Sequence, residues 1–234
     1  GGHAQGLEGA ARRYGQGAPA TGIAGPADDQ VDDRNVGIRH VLSPPRIIAG
    51  KHRGRRLEVP PGLAVRPTAE RLREAVFSIL QHRDPPLAGA RFVDLFAGSG
   101  AVGLEALSRG AATLTAVESD RTAAAALRRN CDKLGESGRA RLLVGDATRL
   151  PGTSEPADIV YLDPPYGSGL AVPALEALRA RGWLCPRSLV VVELAAREPF
   201  TPPPGFAVED ERRYGAGRIV LLRPPGTADA ASVA

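Results

Sequence analysis

The sequence predicts an α/β fold: a mostly parallel, doubly wound sheet of seven strands, preceded by a β-hairpin and a helix. Three observations predict it. Short apolar runs alternate with helical stretches from about residue 91 onward, a Gly-x-Gly-x-x-Gly spacing follows the first of those runs, and successive runs end in a carboxylate. A run such as "IVYL" is too short for a helix and suits a strand buried on both faces.

The elements follow in order. Residues 46 to 59, "RIIAGKHRGRRLEV", alternate loosely around a glycine-rich middle and read as a basic β-hairpin or a strand with a turn. In "RPTAERLREAVFSIL" the spacing of Leu72, Ala75, Val76 and Ile79 puts four apolar side chains on one helical face, with Thr68 as a candidate N-cap. Strand "RFVDLF" comes next, then a helix from about Ser99 to Arg109 that Gly110 stops. Strand "TLTAVE" leads to a helix from about Asp120 to Leu134, closed by Gly135. "ARLLVGD" and "DIVYLD" are strands, Ala171 to Arg181 is a helix, and "SLVVVEL" is a strand. "FAVEDERRYGAGRIVLLR" holds two extended runs around a glycine turn and reads as a closing hairpin.

Composition bounds the rest. The 234 residues allow one good-sized domain with tails: a disordered tail at 1–44, a basic extension at 45–84, a core at 85–224 and a second tail at 225–234. No apolar run reaches the roughly 18 residues of a membrane span. Cys131 and Cys185 lie far apart without Cys-x-x-Cys spacing, so no disulfide framework and no metal site is expected, and a reduced cytoplasm fits. From Arg46 to Arg83 nine Arg/Lys face three Asp/Glu, a local charge of +6 that leaves −2 for the remainder of the +4 chain. Such clustering reads as a footprint for a polyanion, although an arginine-rich composition throughout gives a blander account. Residues 1 to 40 carry five acids and four arginines, begin with Gly and share the chain's complete lack of Met. They read as the product of a start site placed too far upstream, with the functional protein beginning near Val41.

Gly98, Gly100 and Gly103 satisfy the loop spacing used for nucleotide cofactors, where a side chain would block the ligand's approach to the backbone. Glu118, ending the second strand, suits ribose hydroxyls of a dinucleotide or of S-adenosylmethionine. Asp94, just before the glycines, suits an ammonium better than a pyrophosphate. Asp146, ending the third strand, suits an adenine amine, with Leu142 to Val144 as pocket wall. The plainer alternatives are a turn residue for Asp94 and a cap for Asp146. The fourth strand ends in Asp163-Pro164-Pro165-Tyr166, where neither proline can continue the sheet ladder. That corner stands at the carboxyl end of a strand, where open α/β sheets bind ligands.

From about Arg46 to Arg223 the chain resembles the ribosomal RNA small-subunit methyltransferase D family, guanine-N2 methyltransferases of 16S rRNA. The resemblance lies in "RIIAGKHRGRRL", "RPTAERLREAVFSIL", "DLFAGSGAVGLEALSRGA", "VESD" and "YLDPPY". It implies a Rossmann-like class I fold with S-adenosylmethionine as methyl donor. It implies that Asp94, Phe96, Gly98 and Gly100 hold the methionine end, Glu118 and Ser119 the ribose, and Asp146 with Ala147 the adenine, while Thr68 borders the donor. Arg46, Lys51, Arg53, Arg55, Arg56 and Arg66 would meet RNA. The partner would be 16S rRNA or an assembling 30S subunit, and the chain a monomer.

The corner then reads chemically. An exocyclic base amine is a poor nucleophile because its lone pair is delocalised into the ring. Asp163 and the Pro164 carbonyl, accepting its two hydrogens, would pull the nitrogen toward tetrahedral geometry for in-line attack on a sulfonium methyl. Such an electrophile is already activated and requires no metal. Tyr166 offers a stacking face worth about 1–3 kcal/mol, offsetting part of the cost of extruding the base. Asp-Pro-Pro-Tyr serves adenine amines too, so a DNA adenine-N6 methyltransferase is the first rival; no segment is long enough for a separate target-recognition domain. An RNA-binding assembly factor without turnover and an NAD-dependent oxidoreductase are the others. Among remaining residues, Trp183 reads as core, Arg128 and Arg129 as a solvated helix face, and His52 as solvent-exposed, with contact to phosphate the alternative.

Overall fold

The computed structural model describes residues 44–60 and 67–226, with side chains left out for residues 67–69. The expected N-terminal leader and most of the C-terminal tail lie outside the described residues. Among the described residues four helices, α1 (Pro67–Leu80), α2 (Ala101–Ser108), α3 (Arg121–Leu134) and α4 (Ala171–Ala180), accompany seven strands. These are β1 (Arg91–Leu95), β2 (Thr113–Glu118), β3 (Ala140–Val144), β4 (Ala157–Leu162), β5 (Leu184–Ala195), β6 (Ala207–Tyr214) and β7 (Gly217–Arg223). They form one sheet in the order β3-β2-β1-β4-β5-β7-β6. The first five strands are parallel, and β7 runs antiparallel to both β5 and β6. No helix among the described residues is long and apolar enough to cross a membrane.

The sheet order follows from the connections. Parallel neighbours need crossovers, and α2 and α3 supply them on one face while α4 supplies one on the other. The central strands are therefore covered on both sides, which is why they read as continuous apolar runs. One core layer joins Phe77, Phe92, Leu104, Leu107 and Leu127 with Ile47 and Leu57 from the N-terminal arm. The other joins Val93, Val160, Leu175, Leu178 and Trp183, whose indole Nε1 donates to the Pro151 carbonyl at 2.8 Å. Trp183 is core, as the sequence indicates. β6 closes one edge with a largely exposed, charged surface.

The ends of several elements differ from expectation for local reasons. Helix α1 begins at Pro67, so Thr68 sits inside its first turn instead of capping it; proline tolerates that first position because its missing N–H is not needed there. Helix α2 starts at Ala101 because Gly100 is left-handed, φ 86°. Strand β5 begins at Leu184, earlier than the sequence suggests, with a register shift against β4 that accommodates Pro186. Asp120 caps α3 by accepting the Ala123 N–H at 2.7 Å, and Gly135 ends it at φ 71°.

The basic segment forms a tight antiparallel loop with one bridge, Arg46 to Arg56, in place of a full hairpin ladder. It is seated on α2 and α3. Glu105, fully buried, accepts the Ile48 and Ala49 N–H groups at 2.6 and 2.9 Å and also the Arg109 Nε at 2.6 Å. The Ser108 hydroxyl donates to the Ala49 carbonyl at 2.6 Å and accepts the His52 N–H at 2.9 Å. A Cβ on Gly50 would lie 1.9 Å from the Ser108 carbonyl oxygen, so only glycine allows this approach. His52 departs from the sequence reading: it is 8% exposed and bonds Glu136 at 2.6 Å across 84 residues of chain.

Two half-buried N–H groups and one guanidinium depend on Glu105. Glu105→Ala should therefore destabilise the protein by about 1–3 kcal/mol, since an orphaned donor costs about 1–3 kcal/mol when fully buried and less where water can reach it. Urea unfolding of the two proteins measures this directly; a loss under about 0.5 kcal/mol would show that the arm detaches without consequence.

Candidate active site

Strand register and side-chain alternation assemble the site. Asp94 lies opposite Ala116 of β2 and opposite Tyr161 of β4. Leu162 lies opposite Val192, so the next residues on, Asp163 and Glu193, are neighbours at the carboxyl ends of β4 and β5. Because side chains alternate, Asp94, Tyr161 and Glu193 share the face covered by α1 and the arm. The order β2-β1-β4 places the β1/β4 boundary at the topological switch point, where open parallel sheets leave a crevice.

The glycine loop leaves β1 through Phe96, which is left-handed at φ 63°, a conformation costing roughly 1–3 kcal/mol for a bulky residue. Its three glycines do different things. A Cβ on Gly98 (φ 55°) would meet nothing within 4 Å among the described residues, so its backbone borders space that they leave open. A Cβ on Gly100 would come within 2.9 Å of Leu127, and one on Gly103 within 2.6 Å of Leu114. Those two glycines serve packing of α2 on α3 and the sheet, and only Gly98 meets the sequence argument about ligand approach.

The carboxylates hold the loop in place. Glu118 accepts the Gly98 N–H on Oε2 and the Asp120 N–H on Oε1, each at 2.7 Å. Asp94 is 1% exposed and accepts the Gly103 N–H on Oδ2 at 2.8 Å, tying α2 to β1 from beneath the loop. Burial raises its pKa to about 7, with Glu118 adding to the rise and the Gly103 N–H opposing it. Asp146 stands exposed beyond β3, accepting the Thr148 N–H and hydroxyl on Oδ1 at 2.8 Å each; those bonds hold its pKa below the usual carboxylate range. It also lines a cavity of ≈ 270 Å³ with Leu142, Val144, Arg149 and Leu150. Ala147 is buried behind that turn, and Ser119 is exposed beside Glu118.

At the fourth strand end Pro164 is buried, Asp163 half-buried, and Tyr166 51% exposed. Burial, then Glu193, then Asp94 push the Asp163 carboxyl well above the ordinary range. Glu193, unnoticed in the sequence, accepts the Tyr166 hydroxyl on Oε1 at 3.1 Å and the Tyr161 hydroxyl on Oε2. Burial raises its pKa too, against the two tyrosine hydroxyls. The only signal for it was one acid inside the apolar run "LVVVEL".

The expected RNA-facing residues split into two groups. Arg46 and Arg53 line a groove of ≈ 380 Å³ between the arm and α1, together with Arg71, Glu70 and Glu74. Lys51 instead faces Glu136 at 3.6 Å, and Arg55 donates to the Lys133 carbonyl at 3.2 Å, both toward the end of α3. Arg56 is exposed. Arg66 and the Thr68 side chain lie outside the described residues. Among the described residues no group of three or more His, Cys, Asp or Glu is placed to hold a metal ion.

A family model described as Conserved hypothetical protein 95 matches residues 45–223, from the arm through β7. Ribosomal RNA small subunit methyltransferase D of Escherichia coli K12 is 38% identical over 189 residues, spanning 79% of this chain and 93% of its own. The chain belongs to the ribosomal RNA small subunit methyltransferase D family. The Haemophilus influenzae member is 36% identical over 174 residues, 73% of this chain and 89% of its own. The solved structure of yhhF from Escherichia coli matches with a TM-score of 0.67 at 36% identity, covering 78% of this chain and 98% of that one. The family and the class I methyltransferase fold agree with the sequence reading.

The pKa of Asp94 gives a test of its burial. Its folded value of about 7 lies above the ordinary 3.8, so the folded chain keeps a proton that the unfolded chain has released, and stability falls as pH rises through that window. An asparagine at this position would not titrate, yet its side-chain carbonyl can accept the same Gly103 N–H. Asp94→Asn should gain roughly 1–3 kcal/mol on the wild type between about pH 5 and pH 8. Urea unfolding at the two pH values checks this, and parallel pH dependences would contradict it.

Proposed function

We propose that this protein transfers a methyl group from S-adenosylmethionine to the exocyclic N2 amine of a guanine in 16S ribosomal RNA, free or within an assembling 30S particle. One observation carries the reading: the Asp163-Pro164-Pro165-Tyr166 corner stands beside the glycine loop at the sheet's switch point, in a chain whose relatives are named for rRNA methylation. The loop region fits the donor. Open space lies above Gly98, Glu118 forms the adjoining rim, and the cavity beside Asp146 has an apolar wall. When bound, S-adenosylmethionine supplies a methyl group already activated by its sulfonium.

The chain's residues divide the remaining work. Gly98 offers its backbone surface to the methionine end, and Phe96 turns the loop to make room for it. Glu118 keeps lone pairs beyond its two backbone bonds for ribose hydroxyls, with Ser119 at the rim, while Asp146 and Ala147 take the adenine end. Asp94 contributes by fixing Gly103, and hence the loop, instead of gripping an ammonium. Gly100 contributes the packing that sets α2. Asp163 and the Pro164 carbonyl accept the hydrogens of the target amine, and Pro165 stiffens the corner. Tyr166 presents its exposed ring to the extruded base. As the N–C bond forms and the S–C bond breaks, the amine's surplus proton leaves toward Asp163 and then solvent. The raised proton affinity of Asp163 suits that acceptance, and methyl transfer should decline as pH falls and Asp163 becomes protonated.

Incubating the protein with radiolabelled donor and, separately, 16S rRNA, 30S particles and DNA, followed by nucleoside analysis, tests the reading. N2-methylguanosine is the expected product; N6-methyladenine in DNA would replace the reading with its rival. Asp163→Ala should abolish turnover while leaving donor affinity within about threefold, because no donor contact is assigned to it. Glu118→Ala should weaken donor binding about tenfold or more, from the loss of charge-assisted bonds worth about 1.5–3 kcal/mol. Calorimetry and turnover on the same preparations separate the two roles.

RNA phosphates would follow the groove that Arg46 and Arg53 share with Arg71. Replacing these three together should weaken RNA binding and lower the slope of log affinity against log salt by about two. Replacing Lys51 and Arg55, which face α3, should change the slope less. Equal effects of the two sets would remove the groove from the RNA path.

A further inference from the structure

We propose that Glu193 is a positioning residue for methyl transfer: from β5 it holds the hydroxyls of Tyr161 and Tyr166 on its two carboxylate oxygens and so sets the angle of the Tyr166 ring beside Asp163. This rests on the reading of the corner given above. Glu193 is 7% exposed between the buried Leu189–Val192 run and Leu194 of β5, where a leucine would fill the space without the cost of burying a carboxylate. Its two partners are unequal. Tyr161 lies wholly within β4 and is buried, so its hydroxyl is a fixed anchor. Tyr166 lies beyond the two prolines with half its surface exposed, so the 3.1 Å bond to Oε1 restrains a ring that packing only partly holds. The two tyrosines flank Asp163 in sequence, and the bracket therefore spans the corner.

The surroundings agree with this arrangement. Gly217, at the start of β7, lies beside the same hydroxyl: a Cβ there would be in ordinary contact with it at 3.5 Å, and the close approach of 2.9 Å would be to Leu72 of α1. Among the described residues the charged or titratable groups facing the cluster include Asp94 from β1, Tyr161 from β4, Asp163 and Tyr166 just beyond it and, on α1, the buried Arg73, which interacts with Tyr161. After burial, Glu193 is the largest influence raising Asp163. Glu193 thus touches both halves of the corner, one by a hydrogen bond and one by charge. Removing its charge should let Asp163 ionise at lower pH, an effect that loss of packing alone would not produce.

The test compares Glu193→Gln, Tyr166→Phe, their double variant and Asp163→Ala in the full chain, with kcat and KM for RNA across about pH 5 to 9 and donor affinity by calorimetry. Glu193→Gln should lower kcat about tenfold, keep donor affinity within about twofold, and move the acid limb of kcat down by roughly half a unit or more. Tyr166→Phe keeps the ring and loses the bond, and the double variant should be no worse than the poorer single one, because both remove one restraint. Additive losses, an unmoved acid limb or unchanged kcat in Glu193→Gln overturn the proposal. If Glu193→Gln does not fold, Tyr166→Phe decides alone: kcat within about twofold of wild type overturns it. Asp163→Ala separates the levels, since turnover retained there would sink the reading of the corner itself, whereas turnover lost there with Glu193→Gln unaffected sinks only the role of Glu193.

Discussion

Burial of carboxylates at the ends of adjacent parallel strands is the constraint around which the site is built. Burial raises Asp94, Asp163 and Glu193 alike, and the charges of Glu193 and Asp94 push Asp163 up further. Nothing in the sheet core demands acids there. Two of them are instead supported by donors from their own chain: the Gly103 N–H for Asp94, and two tyrosine hydroxyls for Glu193. The ends of β1, β4 and β5 must then stay in register, because a slip of one residue would turn these groups to the opposite face. The apolar rows on both faces of β4 and β5 enforce that register.

The arm and the glycine loop are one structural unit through a single amide. Asn130 of α3, fully buried, accepts the Glu58 N–H at 2.7 Å and donates from Nδ2 to the carbonyls of Glu58 and Ser99 at 2.9 and 3.0 Å. Glu58 belongs to the arm and Ser99 to the loop after β1. Glu105 and Ser108 fasten the other end of the arm to α2, whose first turn the loop precedes. The surface proposed to meet RNA and the backbone proposed to meet the donor are thus anchored on the same two helices.

Much of this was legible in the sequence. Alternating strands and helices, the glycine spacing and the four acidic strand ends indicated the order of elements and the location of the site, because these are local patterns with a fixed geometric meaning. What was not legible depends on distant partners. His52 is buried because Glu136 meets it from the far end of α3, and Gly100 and Gly103 are small because Leu127 and Leu114 press on them. Thr68 resembled a cap since Pro67 can itself open a helix. Glu193 went unread because an acid near the end of a strand resembles any strand terminus until Tyr161 and Tyr166 are seen on its two oxygens.

The outer strand β6 bears on how the sheet ends. Glu209, Asp210, Glu211, Arg212 and Arg213 occupy consecutive positions there; the three acids pair with Arg83, Arg218 and Arg223, and the two arginines pair with Asp210 and Glu211. A further strand docking along this edge would have to desolvate several of those charges at once, or break their pairs. Edge strands that carry such side chains resist templating by stray extended peptide. Among the described residues β6 is the outermost strand at this edge, so its charged side chains are what a stray extended peptide would meet first, and Val or Thr at those five positions would remove that deterrent.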